Sequence, residues 1–153
     1  MKILMVCLGN ICRSPIAHGL LQHKAQQKGL NWEVDSAGTS DWHAGELPNP
    51  KSIAVMNKNG IDITYQQSRP VKPTDLQYFD IIYCMDAANY SNILAMAKTE
   101  EEKQKVRLIL NEVNPDQNNA VPDPYGMSEE HYQGVYDMLD VATDRIIERL
   151  TKE

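Results

Sequence analysis

The segment that decides the fold runs from residue 2 to residue 15 and reads Lys2-Ile3-Leu4-Met5-Val6-Cys7-Leu8-Gly9-Asn10-Ile11-Cys12-Arg13-Ser14-Pro15. Its first five residues form a short apolar run, which is typical of a strand buried in a parallel sheet. Its last two residues indicate a helix start, with Ser14 as the cap and Pro15 at the first helical position. The residues between them therefore predict a loop that joins a strand directly to a helix N-terminus.

Strands and helices alternate along the rest of the chain. Apolar runs predict four strands, over residues 2–6, 32–37, 79–84 and 106–110. Helical spacing predicts helices that begin at Ser14, Pro50, Asp86 and Ser128, whereas residues 99–105 form a charged run that we expect to be solvated. This alternation predicts an α/β protein with a parallel sheet, in one domain that spans residues 1–153.

Composition excludes several classes of function. The 15 basic and 21 acidic residues give a formal net charge of −6, which excludes a global basic surface for nucleic acid. No apolar run approaches the ~18 residues that a membrane span needs. The odd set of cysteines, Cys7, Cys12 and Cys84, predicts no disulfide framework and a reducing cytoplasm. Their spacing suits no zinc site, so we expect neither a metal nor a cofactor.

The first loop carries the spacing Cys-x5-Arg, from Cys7 to Arg13. A short turn between a strand and a helix directs successive backbone N–H groups inward as an anion nest, and the helix N-terminus adds partial positive charge. Gly9 and Asn10 tolerate the positive φ that such a loop needs. The guanidinium of Arg13 can bind two oxygens of a phosphoryl group, and these donors favour a thiolate at Cys7. The loop therefore predicts a cysteine nucleophile that attacks phosphorus.

A leaving group needs a proton, and the sequence offers Asp123 within Val121-Pro122-Asp123-Pro124-Tyr125-Gly126. Two prolines stiffen the backbone around this carboxylate, which favours a general acid held on a loop. The ordinary alternative is a turn aspartate before proline. A second carboxylate, Asp86, also follows a strand, but its position is better explained as a helix cap.

The sequence from Cys7 to Pro15 resembles the active-site loop of the low-molecular-weight protein tyrosine phosphatases. The resemblance continues through Ser36-Ala37-Gly38-Thr39, Trp42, Met85-Asp86 with Asn89, and Asp123-Pro124-Tyr125, so it spans essentially the whole chain. It implies a flavodoxin-like three-layer sandwich, in which helices cover both faces of a four-stranded parallel sheet. It also implies metal-independent hydrolysis of phosphotyrosine in proteins or peptides, phosphate or other oxyanions bound in the site, and a cytoplasmic monomer or weak dimer.

The resemblance also implies roles by position. Cys7 matches the nucleophile, Arg13 the phosphate clamp, and Asp123 the general acid that then acts as base. The phosphate-binding segment is Leu8, Gly9, Asn10, Ile11, Cys12, Arg13 and Ser14. The residues that match braces of the loop and the thiolate are Asn10, Ser14 and Ser36. The pocket walls match Leu8, Ile11, Trp42 and Tyr125, and Cys12 matches a second cysteine able to form a reversible disulfide with Cys7.

This chain departs from the family at a few positions. His18 stands where Glu is common, and Gly126 replaces a second tyrosine that many eukaryotic members carry. Asn49-Pro50-Lys51 replaces the usual Asp-Pro-Arg. The last two departures leave open the regulation of the loop after Asp123 and the charge of the pocket rim.

Three other functions compete with tyrosine phosphatase activity. An arsenate reductase shares the loop but needs further cysteines, and only Cys84 remains here. Protein-arginine phosphatases tend to carry Thr at the position of Ile11 and a smaller residue at that of Tyr125. A phosphotyrosine-binding pseudo-phosphatase is expected to lack a catalytic residue, whereas Cys7, Arg13 and Asp123 are all present.

Overall fold

A four-stranded parallel sheet forms the centre of the computed structural model, which describes residues 1–152. Its strands are β1 (Lys2–Cys7), β2 (Glu33–Gly38), β3 (Ile81–Cys84) and β4 (Val106–Leu108). They lie in the order β2-β1-β3-β4, and every neighbouring pair is parallel. This is the strand order of flavodoxin-like sheets, so the predicted fold class is confirmed.

Six helices connect and cover the strands. They are α1 (Arg13–Gln27), α2 (Pro50–Lys58), α3 (Asp75–Tyr78), α4 (Ala87–Met96), α5 (Glu100–Lys105) and α6 (Glu129–Thr151). A 3₁₀ turn, Ile109–Glu112, follows β4, so this strand is shorter than predicted. Within residues 1–152, no helix is both long enough and apolar enough to cross a membrane.

Alternating residues of β1 serve two separate cores. Ile3 and Met5 pack on one face of the sheet with residues of α1, α2 and α6. Leu4 and Val6 pack on the other face with residues of α3 and α4. Both faces are therefore buried, which explains why this strand is apolar at every position from Ile3 to Val6 rather than at every second one. The two cores make the three layers that the resemblance implies.

The predicted helix caps are confirmed at Asp86, confirmed in position but not in side-chain bonding at Ser128, and wrong at Ser14. The Asp86 carboxylate accepts the backbone N–H of Asn89 at 2.9 Å and caps α4, as predicted. Ser14, in contrast, lies inside α1, which begins at Arg13, and its hydroxyl contacts the sulfur of Cys7. Ser128 occupies the N-cap position of α6, as predicted, but its hydroxyl lies 2.9 Å from Nδ1 of His131 and makes no capping hydrogen bond to the helix amides. At both serines a side-chain partner competes with the helix amides for the hydroxyl.

The charged run after Thr99 is mostly exposed, as predicted, but it also forms a helix. The hydroxyl of Thr99 accepts the backbone N–H of Glu102 at 3.1 Å and caps α5. Glu102 is buried, and its carboxylate accepts the backbone N–H of Lys98 at 3.0 Å. Acidic residues in the first turn and lysines in the last complement the helix dipole. Local capping and dipole effects therefore form this helix without an apolar face.

Candidate active site

The loop between β1 and α1 is held by its carbonyl groups. Neighbouring segments donate to four of these oxygens: Thr39 N–H to Cys7 O at 2.9 Å, Ser40 N–H to Leu8 O at 3.0 Å, Ser68 Oγ to Gly9 O at 3.0 Å, and Asn49 N–H to Ile11 O at 2.7 Å. The backbone N–H groups of residues 8 to 12, in contrast, pair with no acceptor within residues 1–152. The loop carbonyls thus bind neighbouring segments, and the loop N–H groups stay free to bind an anion, which is the arrangement of an anion nest.

The sulfur of Cys7 lies at the end of a hydrogen-bond chain. Asn10, whose φ is 55°, donates from Nδ2 to Oγ of Ser14 at 2.8 Å. Ser14 Oγ lies 3.0 Å from Sγ of Cys7. Because Ser14 Oγ accepts the proton of Asn10, its own O–H is left to donate to the sulfur. All three side chains are buried, so water does not compete with this chain.

The guanidinium of Arg13 is held in place by hydrogen bonds to Asp86 and to the backbone at Val121. Only 3% of the residue is exposed, and Nη1 donates to Oδ2 of Asp86 at 2.7 Å and to the carbonyl of Val121 at 3.0 Å. Nη2 lies 3.9 Å from the carboxylate of Asp123. Asp86 therefore has two functions, since one oxygen caps α4 and the other orients Arg13. Sequence analysis found the cap but missed the ion pair, although Asp86 follows β3 at the same edge of the sheet.

The predicted catalytic residues line one cleft of about 110 Å³. Its wall residues are Cys7, Leu8, Gly9, Ile11, Cys12, Arg13, Trp42, His43, Asp123 and Tyr125. The structure thus brings together the three residues assigned to catalysis and the four assigned to the pocket walls. A larger groove of about 720 Å³ lies along α4, β4 and α6 and contains none of the predicted site residues. The positions of Cys7, Arg13 and Asp123 therefore favour the smaller cleft as the active site.

The mouth of the cleft is aromatic and solvent-exposed. Trp42 is 71% exposed, and Tyr125 is also exposed. His43, which sequence analysis missed, lies 6.1 Å from the Tyr125 ring, and its Nδ1 is 3.0 Å from a Glu46 oxygen. A Cβ at Gly9 would come within 3.1 Å of the His43 ring, so the absence of a side chain at Gly9 permits this approach. His43 belongs to no motif that the sequence analysis could recognise, so its position at the cleft becomes evident only in the folded structure.

Cys12 belongs to the loop and packs in a small apolar cluster with Ile11 and Tyr132. Its Sγ is 3.4 Å from the hydroxyl of Tyr132, a fully buried residue of α6. Burial raises the pKa of the Cys12 thiol to about 11, against a smaller lowering effect of the Tyr132 hydrogen bond. Cys12 is therefore a protonated thiol at neutral pH, and its disulfide with Cys7 stays a prediction. Within residues 1–152, no cluster of three or more His, Cys, Asp or Glu side chains could hold a metal ion.

Ser36 lies on β2 behind the loop, where it contacts a buried histidine. Its Oγ lies 3.1 Å from Nδ1 of His18, whose ring meets Tyr65 edge-on at 5.6 Å. Within residues 1–152, Ser36 makes no hydrogen bond to Cys7, Asn10 or Ser14, so its role as a brace of the loop stays a prediction. Burial lowers the pKa of His18 to about 4, although the charge of Asp35 opposes this shift. The departure from Glu at this position thus places a neutral imidazole behind the site.

The buried imidazole predicts a pH-dependent stability. The unfolded chain takes up a proton near pH 6.5, whereas folded His18 does so only near pH 4, so the free energy of unfolding falls as pH drops through that window. From pH 7 to pH 5 the contribution of His18 is a loss of about 2 kcal/mol. Urea unfolding at both values checks this, because His18→Gln should lose about 2 kcal/mol less than wild type. The exposed His131→Gln should match wild type, and an unchanged pH slope in His18→Gln would assign the effect to other groups.

Comparison with known sequences places this chain in a family. The family model described as low molecular weight phosphotyrosine protein phosphatase matches residues 2–153. A low molecular weight phosphotyrosine protein phosphatase from Schizosaccharomyces pombe is 36% identical over 141 residues, which cover 90% of this chain and 89% of that protein. The match therefore includes every element of the sheet and the whole of the cleft.

Solved structures agree with the sequence comparison. A protein tyrosine phosphatase from Entamoeba histolytica superposes with a TM-score of 0.92 at 35% identity, covering 99% of this chain and 97% of that one. A Drosophila arginine phosphatase superposes with a TM-score of 0.93 at 27% identity, covering 100% and 99%. The fold is thus shared with phosphatases of two substrate classes. By sequence and by structure, this chain belongs to the low-molecular-weight phosphotyrosine protein phosphatase family of enzymes.

Proposed function

We propose that this protein hydrolyses phosphotyrosine and other aryl phosphates through a phosphocysteine intermediate. The observation that carries the proposal is the meeting of Cys7, Arg13 and Asp123 in one cleft, beside a loop whose backbone N–H groups pair with no acceptor within residues 1–152. A thiolate, a bidentate cation and a carboxylate at the mouth are the three groups that phosphoryl transfer to sulfur requires. The amides and Arg13 supply the charge stabilisation, so the residues themselves suffice for the chemistry.

In the first step the thiolate of Cys7 attacks phosphorus and the bond from phosphorus to the phenolic oxygen breaks. The loop amides and the free N–H groups of Arg13 hold the three equatorial oxygens in the transition state. Asp123 donates its proton to the departing oxygen, so tyrosine leaves as a neutral phenol. Its position at the exposed rim, 3.9 Å from Nη2 of Arg13, is the side from which a leaving group departs.

In the second step the carboxylate of Asp123 takes a proton from water, and the resulting nucleophile attacks phosphorus. The S–P bond breaks and returns the electron pair to Cys7, which again becomes a thiolate. The hydroxyl of Ser14, 3.0 Å from the sulfur, stabilises that thiolate as a leaving group. Inorganic phosphate is released, and Asp123 is again protonated for the next substrate.

The aromatic walls favour an aryl substrate. Trp42 and Tyr125 both border the cleft and expose their rings, which can stack on a flat phenyl group. We expect phosphotyrosine peptides to be hydrolysed at least tenfold faster than phosphoserine peptides of the same sequence. Phosphate release from matched peptides measures this ratio, and Trp42→Ala or Tyr125→Ala should narrow it. Equal rates on both peptides in the wild type would contradict an aryl-binding pocket.

An arginine phosphatase is the second candidate, and one observation favours it. The Drosophila arginine phosphatase has the same fold at 27% identity. Ile11 and Tyr125, however, both lie in the cleft and both differ from the residues that we associate with that subgroup. Including a phosphoarginine peptide in the same assay separates the two functions. Faster phosphate release from phosphoarginine than from phosphotyrosine would transfer the proposal to the arginine substrate.

Arg13→Lys should lower kcat/KM for para-nitrophenyl phosphate by about 100-fold, or about 2.7 kcal/mol of transition-state stabilisation. Lysine keeps the positive charge but lacks the planar fork that can contact Asp86 and two phosphoryl oxygens together. Steady-state kinetics measure the loss, and vanadate titration should show weaker binding as well. Arg107→Lys, an exposed arginine on β4, is the matched control and should leave both values unchanged. A near-normal Arg13→Lys enzyme would mean that the fork does not contact substrate.

A further inference from the structure

A segment that does not line the cleft is hydrogen-bonded to the phosphate-binding loop. We name residues 68–71 the support strap. The hydroxyl of Ser68 donates to the carbonyl of Gly9 at 3.0 Å, and the backbone N–H of Arg69 donates to Oδ1 of Asn10 at 3.1 Å. The strap also pairs with the end of β2, since Gly38 N–H donates to Arg69 O and Val71 N–H donates to Gly38 O, both at 2.8 Å. It therefore links two loop residues to the sheet.

The side chain of Arg69 fixes this strap in place. Its guanidinium donates to Asp35 of β2 from Nε at 3.3 Å and from Nη2 at 3.1 Å. It also binds both oxygens of Asp75 at the start of α3, from Nη1 at 3.0 Å and from Nη2 at 3.2 Å. Asp75 in turn accepts the backbone N–H of Lys72 at 2.8 Å. One arginine thus joins the strap to a strand and to a helix through four charge-assisted hydrogen bonds.

The contact from the strap decides how the Asn10 carboxamide is oriented. Because Arg69 N–H can only donate, the atom it meets must be the carboxamide oxygen, and the amino group then faces Ser14. That amino group donates to Ser14 Oγ, which leaves the serine proton to donate to the sulfur of Cys7. A rotated carboxamide would present its oxygen to Ser14 and draw the serine proton away from the sulfur. The support strap therefore controls the hydrogen bond from Ser14 to the nucleophile, and it does so through Asn10.

We propose that Arg69 is a positioning residue for catalysis, which acts through Asn10 and Ser14 to direct a hydrogen bond to the sulfur of Cys7. This inference rests on the proposed function of Cys7 as the nucleophile. Arg69 does not line the cleft, so it contacts no substrate. Its loss should weaken thiolate formation and the expulsion of sulfur in the second step. The loop amides that bind the phosphoryl oxygens are backbone groups with further anchors, and they should remain in place.

A double-mutant cycle tests the path from Arg69 to the sulfur. Arg69→Gln removes both ion pairs, and Asn10→Gly removes the carboxamide while keeping a residue that adopts a φ of 55°. We expect Arg69→Gln alone to lower kcat by about tenfold. The rate at which iodoacetate alkylates Cys7 at fixed pH should fall in parallel, while vanadate affinity changes by less than about threefold. In the Asn10→Gly background, Arg69→Gln should lower kcat by less than about twofold, because residues acting in one chain are not additive.

Two further variants distinguish a positioning effect of Arg69 from a general loss of stability. Asp75→Asn leaves the Asp35 contacts of Arg69 intact and should give an intermediate loss of kcat. Arg149→Gln breaks an ion pair with Glu112 outside the cleft and should leave kcat and alkylation unchanged at a comparable cost in stability. A kcat within twofold of wild type in folded Arg69→Gln, or equal losses with and without the Asn10 carboxamide, would overturn the inference. Turnover by Cys7→Ser would instead overturn the proposed function, so the two failures are distinguishable.

Discussion

Cys7→Ser is expected to lower kcat for aryl phosphates by more than a thousandfold, or about 4 kcal/mol, while the variant still binds phosphate and vanadate. A serine hydroxyl stays protonated in the same loop and is a far weaker nucleophile than a thiolate. Oxyanion binding should persist, because the loop amides and Arg13 do not depend on the sulfur. Steady-state kinetics give the rate, and the fluorescence of Trp42, which borders the cleft, reports vanadate binding.

A second buried cysteine provides the control for this substitution. Cys84 ends β3, is fully buried and lies outside the cleft. Burial raises the pKa of its thiol, so Cys84 is not a competing nucleophile at neutral pH. Cys84→Ala should keep wild-type kcat even if it lowers the melting temperature. More than one thousandth of wild-type activity in Cys7→Ser would exclude Cys7 as the nucleophile.

The sequence was most informative where one residue type has few possible structural roles. The apolar run of β1, Asn10 in the loop and the arginine at the helix start together predicted the loop that the structure contains. Asn10 has the expected positive φ, whereas the expectation of a positive φ at Gly9 is wrong. Strand alternation predicted the parallel sheet, because helical crossovers leave few other solutions. The resemblance assigned Asp123 and Trp42 to the same site, and the structure explains why they meet, because the carboxyl ends of parallel strands share one edge.

The parts that sequence analysis missed depend on contacts between distant segments. Asp86 orients Arg13 across 73 residues, and Arg69 meets Asn10 across 59. No local pattern distinguishes such carboxylates and arginines from ordinary caps and surface charges. The error at Ser14 has the same origin, since the sulfur of Cys7 is seven residues away and replaces the helix amides as its partner. Side chains with several possible partners are therefore determined by the tertiary structure.

Asp123→Asn is expected to slow phosphotyrosine hydrolysis by about 10²–10⁴-fold, and para-nitrophenyl phosphate hydrolysis by much less. Tyrosine leaves as a phenoxide whose conjugate acid has a pKa near ~10, so protonation in the transition state lowers its barrier strongly. The para-nitrophenoxide ion is a much better leaving group and needs the proton less. Asparagine keeps the size of the side chain and its hydrogen bond to Tyr125 N–H, so binding should change little.

The leaving-group dependence distinguishes acid catalysis from a general effect of charge at the rim. In Asp123→Asn the alkaline limb of the pH profile should flatten, because that limb reports loss of the proton from the general acid. Asp116→Asn removes the same charge from the same loop at a positive φ that asparagine tolerates, and it should leave both substrates unaffected. Equal losses on both substrates with an intact alkaline limb would move the acid to Asp86, the other carboxylate in contact with Arg13. Asp86 is less suited to that role, since one of its oxygens caps α4 and the other pairs with Arg13, whereas the exposed carboxylate of Asp123 can approach a leaving group.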